Sequence, residues 1–375
     1  MADFLSKLSS MSGLFQQKKS ESVIGIDVGS SSVKVVQLAK KSGKAVLETY
    51  GEIALGPYGG TDVGRSTILT AEKISEAVAD LLRESNTTTK NSALSIPISS
   101  TFIIFMRIPT TDEKKFAEMV PLEARKYIPV PVSEVSIDWW PVPKDESTIS
   151  EFQGGQKTVE ETGTEILVVV IHNDALSRNK AIQNLSSLQV SFSEVEIFSS
   201  LRASLDPSLV PQMLMDFGAS STKVFIIEGG VLKASHVINR GSQDITLSIS
   251  KSMNTSFDDA EKIKRNYGIV ESAENKTVSD LTSVTIDYVM AETERFVLGY
   301  YKKYGKKLNK VVLTGGGSLL KGLKERTQKS FEVPIEISDP FAKVDYPAFL
   351  EEVLKTAGPV FSVAIGLAIR KLQEM

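Results

Sequence analysis

The chain contains one short pattern twice, and this duplication constrains its fold more than any other feature. The first copy, residues 26–36, reads IDVGSSSVKVV, and the second, residues 215–225, reads MDFGASSTKVF. In each copy an apolar, β-rich run ends in an aspartate, a turn of small residues follows, and a second β-rich run begins. This pattern predicts a β-hairpin with an acidic residue at the mouth of its turn. Two such hairpins that face each other could hold a phosphate group and a metal ion between them.

The length and composition of the chain exclude several classes of protein. With 375 residues, the chain is long enough for two ordinary domains, each with its own core. Its 43 basic and 46 acidic side chains nearly balance, so it has no general field for binding polyanions and nucleic acid is not expected as a partner. It has no cysteine, which excludes disulfides and thiolate metal sites and fits a cytosolic location.

The two ends of the chain differ from the rest. Residues 1–22 form a separate leader that lacks the continuous apolar core of a secretory signal. The apolar side chains of the leader recur on one helical face: Phe4, Leu8, Met11 and Phe15. Such a helix could lie on a membrane, dock on a partner or pack weakly on its own domain, and the single lysine before Lys18 weakens the membrane interpretation. The apolar run 360–369 is about half as long as a spanning helix needs to be, so a buried helix is predicted there.

Strands and helices alternate on both sides of the duplication, which predicts two α/β halves with mixed sheets. The segment 102–171 differs from its surroundings in its pattern of predicted elements and is interpreted as a small inserted α+β unit. Residues 144–165 are expected to form an exposed, mobile hairpin loop in this unit. The predicted division is a leader at 1–22, a first half at 23–101 and 172–210 around the insert at 102–171, a second half at 211–345, and a C-terminal helix at 346–375 that returns to the first half.

Hydrophobic periodicity and turn residues predict the individual elements. Strands are predicted at 23–39 as a hairpin, and at 45–54, 93–97, 102–108, 135–142, 166–171, 190–197, 223–228, 231–238 and 310–314. Helices are predicted at 70–85, 112–127 with Thr111 as the N-cap, 175–188, 243–252, 256–267, 279–304 and 319–330.

The two hairpin turns supply the first candidate ligand-binding residues. Gly29 and Gly218 are expected to provide the unusual backbone angles of these turns. The turns would offer backbone N–H groups and hydroxyls to phosphate through Gly29, Ser30, Ser31 and Ser32 in the first copy and Gly218, Ala219, Ser220 and Ser221 in the second. Lys34 follows the first turn and could reach back to a phosphate as a point charge. The alternative is two unrelated surface hairpins with solvated lysines.

Each hairpin also carries an aspartate, Asp27 or Asp216, just before its turn. A carboxylate that touched a phosphate directly would repel it, so these positions make physical sense only if a divalent cation lies between the two groups. Magnesium suits this role, because it keeps several of its waters and is bound by only one or two carboxylates. Asp27 and Asp216 are therefore the predicted metal residues.

A third candidate element is the run VVLTGGGS at residues 311–318. An apolar strand leads into Gly315, Gly316 and Gly317, and a helix is predicted to begin at Leu319. The glycines would let the backbone approach a ligand, and a helix N-terminus favours an anion. The run is not a Walker A loop, because no Gly-Lys-Ser/Thr follows at the right spacing. The alternative is an ordinary turn between a strand and a helix.

Other side chains allow two interpretations each. Glu261 and Lys264 lie three residues apart on a predicted helix and could bond a ribose and flank a base, or they could form an ordinary surface pair. His172 and His236 are far apart and each ends an apolar run, so they are interpreted as histidines at sheet edges rather than as ligands. The pair Trp139-Trp140 is expected to pack the inserted unit, although an exposed tryptophan there could anchor a peptide.

The two hairpins and the late glycine turn, in this order, resemble the signature of the actin-like ATPase superfamily, which includes actin, chaperone nucleotide domains and sugar kinases. More narrowly, the chain resembles the type IV pilus assembly protein PilM family, which is related to the cell-division protein FtsA. The resemblance covers residues 22–372 and rests on the segments at 24–38, 123–129 with Pro131, 259–264, 313–317 and 364–368.

The resemblance implies an α/β fold of the actin-like, ribonuclease H-like type, with two duplicated lobes and a small inserted α+β subdomain. It also implies ATP or ADP with Mg²⁺ in the cleft between the lobes, bound by the residues named above, with the glycine turn on the adenosine side. The family usually has a Gly-Gly pair where this chain has Arg240-Gly241-Ser242. Gly241 is therefore a candidate contact at a place where the chain departs from the family pattern.

The resemblance further implies a cytoplasmic protein that is peripheral to the inner membrane. The family docks the short cytoplasmic N-terminal peptide of a PilN-like inner-membrane protein in a groove beside the inserted subdomain. Pilus motor ATPases are further expected partners, nucleic acid is not, and membrane association is expected to be indirect or weak.

Two other functions are compatible with the same fold. A small-molecule kinase would need a carboxylate base at the cleft and a pocket for the acceptor, and neither is recognisable in the sequence. A filament-forming, membrane-tethered scaffold similar to FtsA is supported only by the leader. No catalytic residue is assigned, at most a weak ATPase activity is expected, and Glu196 is the acidic residue to test first.

Overall fold

The structure is a computed structural model that describes residues 21–143 and 163–375. The predicted leader helix and most of the predicted loop at 144–165 lie outside these residues. The strands are β1 (Ser22–Val28), β2 (Ser32–Lys41), β3 (Lys44–Ala54), β4 (Asn91–Ile96), β5 (Thr101–Ile108), β6 (Val135–Pro141), β7 (Thr164–His172), β8 (Gln189–Val195), β9 (Gln212–Phe217), β10 (Thr222–Glu228), β11 (Val231–Ile238), β12 (Lys310–Thr314) and β13 (Ile335–Ile337). The α-helices are α1 (Ala71–Glu84), α2 (Phe116–Ala124), α3 (Asn173–Leu185), α4 (Glu196–Ser204), α5 (Ser242–Met253), α6 (Phe257–Tyr267), α7 (Lys276–Tyr304), α8 (Leu323–Ser330), α9 (Glu351–Ala357) and α10 (Ser362–Glu374).

Two five-stranded sheets repeat one topology. The first sheet has the order β3-β2-β1-β4-β8, and the second has the order β11-β10-β9-β12-β13. In each sheet an antiparallel hairpin is extended on one side by a third antiparallel strand and on the other side by two parallel strands. The two copies of the sequence pattern are the equivalent hairpins β1–β2 and β9–β10, in which Asp27 pairs with Lys34 and Asp216 with Lys223. The predicted duplication is confirmed.

Successive side chains of β1 point to opposite faces of the first sheet, and a different set of helices covers each face. Ile24 and Ile26 on β1 pack in one apolar cluster with residues of α1 and α3, including Ile74 and Ile182. Val23 on the same strand packs instead in a cluster with α10. Because both faces are covered, β1 is buried along its whole length, as expected for a central strand of an α/β protein.

The second sheet is covered by helices on one face and by a third sheet on the other. Met213 and Met215 pack in a cluster with residues of α5 and α7. Leu214, between them, packs in a different cluster that includes Leu167 and Val169 of β7. Strand β7 is the centre of the third, antiparallel sheet, of order β5-β7-β6. The third sheet therefore touches the second sheet on one side, and α2 packs on its opposite face.

The helix predicted at 112–127 is shorter than expected and differently capped. A 3-10 turn at Glu113–Lys115 precedes α2, which ends at Ala124 and contains Pro121. The N-cap of the turn is Asp112, whose carboxylate accepts a hydrogen bond from the Lys114 amide at 3.2 Å, so the prediction of Thr111 is wrong by one residue. Aspartate and threonine are both good caps, and only the geometry of the chain decides between neighbours.

Several other predictions of element boundaries are wrong. The strand predicted at 190–197 ends at Val195, because the unpredicted helix α4 begins at Glu196. The helix predicted from Leu319 begins at Leu323 instead: residues Gly316–Leu319 form a 3-10 turn, and Gly322 adopts a left-handed conformation with φ 86° that separates the turn from α8. The C-terminal helix predicted at 346–375 is divided into α9 and α10 by a 3-10 turn at Gly358–Phe361. The short strand β13 was not predicted.

Helix α10 packs unusually close to its neighbours. It contacts β1, β2, β4 and α4. A Cβ atom on Gly25 would overlap the carbonyl oxygen of Ala364 in this helix, and a Cβ on Gly366 would overlap the carbonyl oxygen of Ser199 in α4. Glycine at both positions permits backbone-to-backbone contact. The buried helix predicted at 360–369 is confirmed.

By length and composition, one helical stretch of the described residues, Ala348–Glu374, is apolar enough to cross a membrane. However, 61% of its most apolar window is buried inside the protein. The packing of α10 in the first half accounts for this apolar character, since core helices and spanning helices share it.

Candidate functional site

A cavity of about 610 Å³ lies where the two hairpin turns meet the glycine turn that follows β12. Most of the candidate ligand-binding residues line it: Asp27, Gly29, Ser30, Ser31, Ser32, Lys34, Asp216, Gly218, Ala219, Glu261, Lys264, Gly315, Gly316, Gly317 and Leu319. Three candidates, Ser220, Ser221 and Gly241, are not part of its wall. The structure therefore brings together three segments that are far apart in the chain.

The two hairpin turns are built in the same way. The Gly29 amide donates to the carbonyl oxygen of Ser32 at 3.0 Å, and the Gly218 amide donates to that of Ser221, also at 3.0 Å. Neither glycine has a positive φ, so the expectation of unusual backbone angles is wrong. Glycine is needed for space instead: a Cβ on Gly218 would lie 2.9 Å from the Ser221 carbonyl oxygen.

The turns also touch each other across the cavity. The hydroxyl of Ser220 donates to that of Ser30, with 3.1 Å between the oxygens. Ser220 therefore belongs to the cleft between the two halves although it does not line the open volume. Ser221 acts through its carbonyl oxygen, which closes the second turn.

Gly241 packs against the backbone of the second hairpin turn. A Cβ at this position would overlap the carbonyl group of Ala219. The next two amides continue the contact, because Ser242 donates to the Gly218 carbonyl at 2.9 Å and Gln243 to the Ala219 carbonyl at 3.0 Å. Gly241 thus lets α5 begin directly against the turn, and its neighbours Ser242 and Gln243 line the cavity in its place.

A buried cation bridges two carboxylates at the floor of the cleft. The Lys223 ammonium lies 2.8 Å from Glu196 and 3.3 Å from Asp216. Burial alone would lower the pKa of Lys223, but the charges of Asp216 and Glu196 outweigh it and hold that pKa above its ordinary value. Glu196, at the start of α4, also accepts from the Ile98 amide at 2.7 Å. This network joins a hairpin of the second sheet to a helix of the first half.

Asp27 has a different environment from Asp216. It is buried, and its Oδ1 atom has no hydrogen-bond partner among the described residues. Burial raises the pKa of Asp27, although the charges of Lys34 and Lys223 oppose the shift. Lys34 lines the cavity and lies 3.8 Å from Glu52. An unsatisfied buried carboxylate oxygen in a cavity is the donor that a hydrated cation would use.

The donor set suits a magnesium ion that accompanies a nucleotide better than a dedicated metal centre. Among the described residues, no group of three or more acidic, histidine or cysteine side chains is placed to hold a metal ion. Magnesium bound with phosphates needs only one or two protein carboxylates. Asp27 fits that requirement because its Oδ1 atom has no partner among the described residues. Asp216 fits it if its carboxylate binds the ion and Lys223 at the same time.

Glu261 and Lys264 form a buried network at the side of the cavity. The Lys264 ammonium contacts Glu261 at 2.6 Å, Thr246 at 2.9 Å and the Ser242 carbonyl at 3.1 Å. Burial would raise the pKa of Glu261, but Lys264 outweighs it and lowers that pKa. Because Lys264 is buried, the interpretation as an ordinary surface pair is wrong.

The glycine turn after β12 lies directly against the second hairpin. Gly315 has φ 79°, and a Cβ there would overlap the Asp216 carboxylate. Its amide donates to the Pro359 carbonyl at 3.0 Å. Since α8 begins only at Leu323, the expected helix N-terminus directly after the glycines is absent, and a 3-10 turn takes its place. The glycines permit close packing and an open backbone surface.

Several cavity residues were not among the candidates predicted from the sequence. Arg265 lies four residues after Glu261, which accepts from it at 2.8 Å, and this helical spacing could have identified it. Gln243 accepts from the Ser66 amide at 3.0 Å and so joins the two halves. Pro359 and Val360 come from the turn before α10, where no motif marks them.

The remaining candidates lie outside the cavity. Trp139 packs edge-on against Phe116 within the third sheet's core, at 5.9 Å between ring centroids. Trp140 is 46% exposed and meets Phe198 of α4 at 6.1 Å. His172 lies beside Phe102 and His236 is stacked on Phe296, at 5.3 and 5.8 Å between ring centroids.

Comparison with known sequences identifies a family and more distant relatives. The family model described as "Type IV pilus assembly protein PilM" matches residues 25–372. The cell division protein FtsA of Neisseria meningitidis is 32% identical over 175 residues, 41% of each chain. FtsA of Helicobacter pylori strain J99 is 27% identical over 241 residues, which cover 55% of this chain and 48% of FtsA. The chain thus spans less than half the length of these curated relatives.

Comparison with solved structures confirms the predicted fold class. A structure described as a PilM-PilN type IV pilus biogenesis complex superposes with a TM-score of 0.76 at 24% identity, covering 93% of this chain and 98% of that one. MreB5 of Spiroplasma citri bound to AMPPNP gives a TM-score of 0.51 at 13% identity, covering 94% and 97%. At these identities the similarity shows an actin-like, two-lobed fold, and the two repeated sheets are its lobes.

Proposed function

We propose a function from the premise that this chain belongs to the type IV pilus assembly protein PilM family. The proposal is that it binds ATP or ADP with Mg²⁺ in the cleft between its lobes and docks a PilN-like membrane protein at a separate surface. The observation that carries the nucleotide part is the meeting of two equivalent hairpin turns at one cavity, with an unsatisfied carboxylate oxygen of Asp27 beside them. Nucleotides in the solved MreB5 relatives support it, since those structures are described with AMPPNP and with ADP.

The proposed roles of the cleft residues follow from their chemistry. The Gly29 and Gly218 amides close the turns, so the amides and hydroxyls of the residues that follow, at 30–32 and 219–221, would bind phosphate oxygens, assisted by Lys34. Glu261 and Lys264 would face the ribose and base, and the turn at Gly315–Gly317 would leave its backbone open to the adenosine. Bound Mg²⁺ would neutralise phosphate charge, and Asp27 and Asp216 would hold it through its waters.

Hydrolysis is proposed to be weak at most. An ATPase must orient an attacking water, and a carboxylate commonly accepts its proton. Glu196 is the acidic side chain nearest this role, but its two oxygens already bind the Lys223 ammonium and the Ile98 amide. A carboxylate committed in this way is poorly placed to take a proton, so binding and release of nucleotide would be the functional events.

The partner in this proposal is the cytoplasmic N-terminal peptide of a PilN-like inner-membrane protein. The solved relative is described as a complex of PilM with PilN. Trp140 supports a peptide site beside the third sheet, because it is half-exposed on the edge strand β6 and meets α4 of the first lobe. Exposed aromatic side chains are frequent anchors in interfaces. Such a role would place the protein in the cytoplasm at the inner membrane, where pilus motor ATPases are further proposed partners.

The experiment that tests the proposal is a reciprocal calorimetric titration with Mg-ATP and with the PilN-like N-terminal peptide, each in the presence and absence of the other. We expect both to bind, with a coupling between them that is equal in the two directions. Asp27→Ala should weaken ATP and alter peptide binding with it, while Trp140→Ala should weaken the peptide alone. Leu122→Ala, at an exposed position of the same subdomain, is the control. Unchanged ATP affinity in Asp27→Ala would refute the proposed nucleotide site.

A further inference from the structure

A second cavity, of about 330 Å³, lies between the third sheet and the second lobe. Its walls are Ile103 and Phe105 of β5, residues 233–235 of β11, and aromatic side chains of α7 such as Phe296. We call it the β5–β11 groove. It is on the opposite edge of the third sheet from Trp140, since β5 and β6 are the two outer strands of that sheet. The groove is therefore distinct from both surfaces used in the proposed function.

The feature that sets this groove apart is Lys233. This side chain lines the groove while only 8% of the residue is exposed. Its ammonium makes no hydrogen bond or ion pair with any residue in the described ranges 21–143 and 163–375. The aliphatic stem of Lys233 is packed in the protein, while its ammonium is not among the fully buried atoms without a partner and so remains accessible at the groove. An ammonium at the wall of an open groove, with no acidic partner among the described residues, is available to an anionic ligand.

The backbone aims Lys233 into the groove. The pairing of β10 with β11 shifts between Ile226 and Ile227, whose partners are Ala234 and Leu232, so Lys233 is the extra residue of a β-bulge. Leu232 and Lys233 are consequently both buried although they are adjacent in a strand. Bulges of this kind re-aim a side chain and are frequent at sheet edges and beside functional sites.

The acidic side chains near the groove already have partners. Glu228 binds the Tyr300 hydroxyl at 3.1 Å and the Lys306 ammonium. Glu165 of β7 lies 3.7 Å from Lys303, whose ammonium also lies 4.7 Å from the centre of the Tyr304 ring. The groove thus has a basic wall, on which Lys233 carries a charge that no acidic side chain of the described residues shares, and an apolar wall formed by aromatic and aliphatic side chains.

Two strand edges border the groove and suggest what form the ligand takes. Strand β11 ends the second sheet and β5 ends the third, and neither pairs with a further strand in the described part of the chain. An extended peptide can add to such an edge through its backbone and place alternate side chains in one groove. A volume of about 330 Å³ suits one or two side chains of such a peptide.

We propose that the β5–β11 groove binds an extended acidic peptide of a partner protein, with a peptide carboxylate on Lys233 and an apolar side chain against Phe105 and Phe296. The occupant would touch both the third sheet and the second lobe, so it would join the inserted subdomain to that lobe. The site does not require the nucleotide proposal, because none of its residues lines the ATP cleft.

The test begins with a random octapeptide library displayed on phage and selected on the full chain. Selections run in parallel on wild type, on Lys233→Met and on the control Lys251→Met, which removes an exposed lysine of α5. Met preserves the length of the side chain, and a melting temperature no lower than that of wild type verifies folding. We expect peptides rich in Asp or Glu with aliphatic neighbours from wild type and from the control, and none of these from Lys233→Met.

The strongest selected peptide is then measured by fluorescence anisotropy in a double-mutant cycle. Exchanging its acidic residues for Gln or Asn should weaken binding to wild type at least tenfold and leave binding to Lys233→Met unchanged. The proposal is overturned if no acidic peptide is selected, or if the exchange weakens binding equally in both proteins. Asp27→Ala should bind this peptide as wild type does, which separates the result from any failure of the nucleotide site.

Discussion

Asp27 and Asp216 occupy equivalent positions in the two hairpins, yet only Asp216 forms an ion pair. Lys223 lies 3.3 Å from Asp216, whereas Oδ1 of Asp27 has no hydrogen-bond partner among the described residues. The difference arises from the opposite half of the molecule, because Glu196 of α4 fixes Lys223 beside the second hairpin. The unsatisfied carboxylate is therefore the one that a bound cation would stabilise.

The first prediction concerns Asp27→Asn without nucleotide. Burial raises the pKa of Asp27 above its ordinary value of 3.8, so the folded protein holds this proton to a higher pH than the unfolded chain does. The cost of the buried charge is absent at low pH and develops as the pH rises through the raised pKa. Asp27→Asn should thus increase the free energy of unfolding by about 1 kcal/mol or more well above that pKa, and by little below pH ~4.

Urea unfolding of both proteins across this pH range measures the difference, and Mg-ATP affinity is measured on the same samples. We expect the variant to be the more stable protein and the weaker binder. A variant that is less stable than wild type at neutral pH would show that Asp27 has a partner in the protein after all.

The second prediction concerns the buried Lys223. Replacing it by Met would leave Asp216 and Glu196 facing each other without a cation. Breaking a buried pair by removing one partner costs about 3 kcal/mol or more, so Lys223→Met should lower the free energy of unfolding by at least that amount. Lys251→Met, at an exposed site, should change it by less than about 0.5 kcal/mol. A loss below about 1 kcal/mol for Lys223→Met would contradict the role of this lysine as the link between the carboxylates.

At the scale of residues, the sequence predicted which residues come together in the cleft, but it did not predict how they interact. The repeated Asp-x-Gly pattern is local, so it identified both hairpins and their aspartates. The pairing of Lys223 with Glu196 depends on how the two lobes approach each other, which no local pattern encodes. Likewise, the need for glycine at positions 29 and 218 comes from the crowded turn and not from its φ angles.

At the scale of elements, the close packing of α10 on β1 positions the first hairpin. Gly25 of β1 permits the close contact with Ala364 of this helix. The turn before the helix supplies Pro359 and Val360 to the nucleotide cavity. The helix therefore acts as the support for one wall of the cleft.

The third prediction tests this support. Gly25→Ala should lower the free energy of unfolding by about 2 kcal/mol, because the new Cβ would overlap the carbonyl oxygen of Ala364 and force the helix outward. Gly299→Ala is the matched control: it lies within α7, and an added Cβ would meet nothing within 4 Å. There the same exchange should stabilise the helix by about 0.5–1 kcal/mol. Equal effects at the two sites, measured by denaturant unfolding, would show that the contact is not tight.

Long periodic elements were predicted well and short ones poorly. The helix predicted at 279–304 is α7, Lys276–Tyr304, and the strand predicted at 231–238 is β11, because each has a strong pattern of its own. Helix α4 was missed, since its residues follow a strand without a turn signal and it is held by α10 from the far end of the chain. Tertiary contacts decide such short elements.

At the scale of the whole molecule, the two lobes meet at their hairpin turns. The hydroxyl oxygens of Ser30 and Ser220 are 3.1 Å apart across the cleft, and the Ser66 amide reaches Gln243 of the second lobe. A nucleotide in this cleft would contact both lobes at once. It could therefore fix the angle between them, which is the usual way that hinged two-lobed proteins respond to a ligand.

The fourth prediction uses the absence of cysteine from the chain. In the Ser30→Cys/Ser220→Cys variant, mild oxidation should form an intramolecular disulfide, because the two side chains already touch. Loss of free thiols at unchanged molecular mass measures the reaction, and the single-cysteine variants control for intermolecular bridges. Mg-ATP should slow the reaction by standing between the turns. Two thiols that stay reactive in the monomer would show that the lobes are not joined at this point.

The central claim is that the two hairpin turns close on one nucleotide, and a calorimetric titration with Mg-ATP tests it most directly. The samples are wild type and the Ser30→Cys/Ser220→Cys variant, oxidised and reduced. We predict that wild type and the reduced variant bind one nucleotide, that the oxidised variant binds none, and that added reductant restores binding. A wild-type chain that does not bind Mg-ATP, or an oxidised variant that binds it as tightly as the reduced one, would contradict the account.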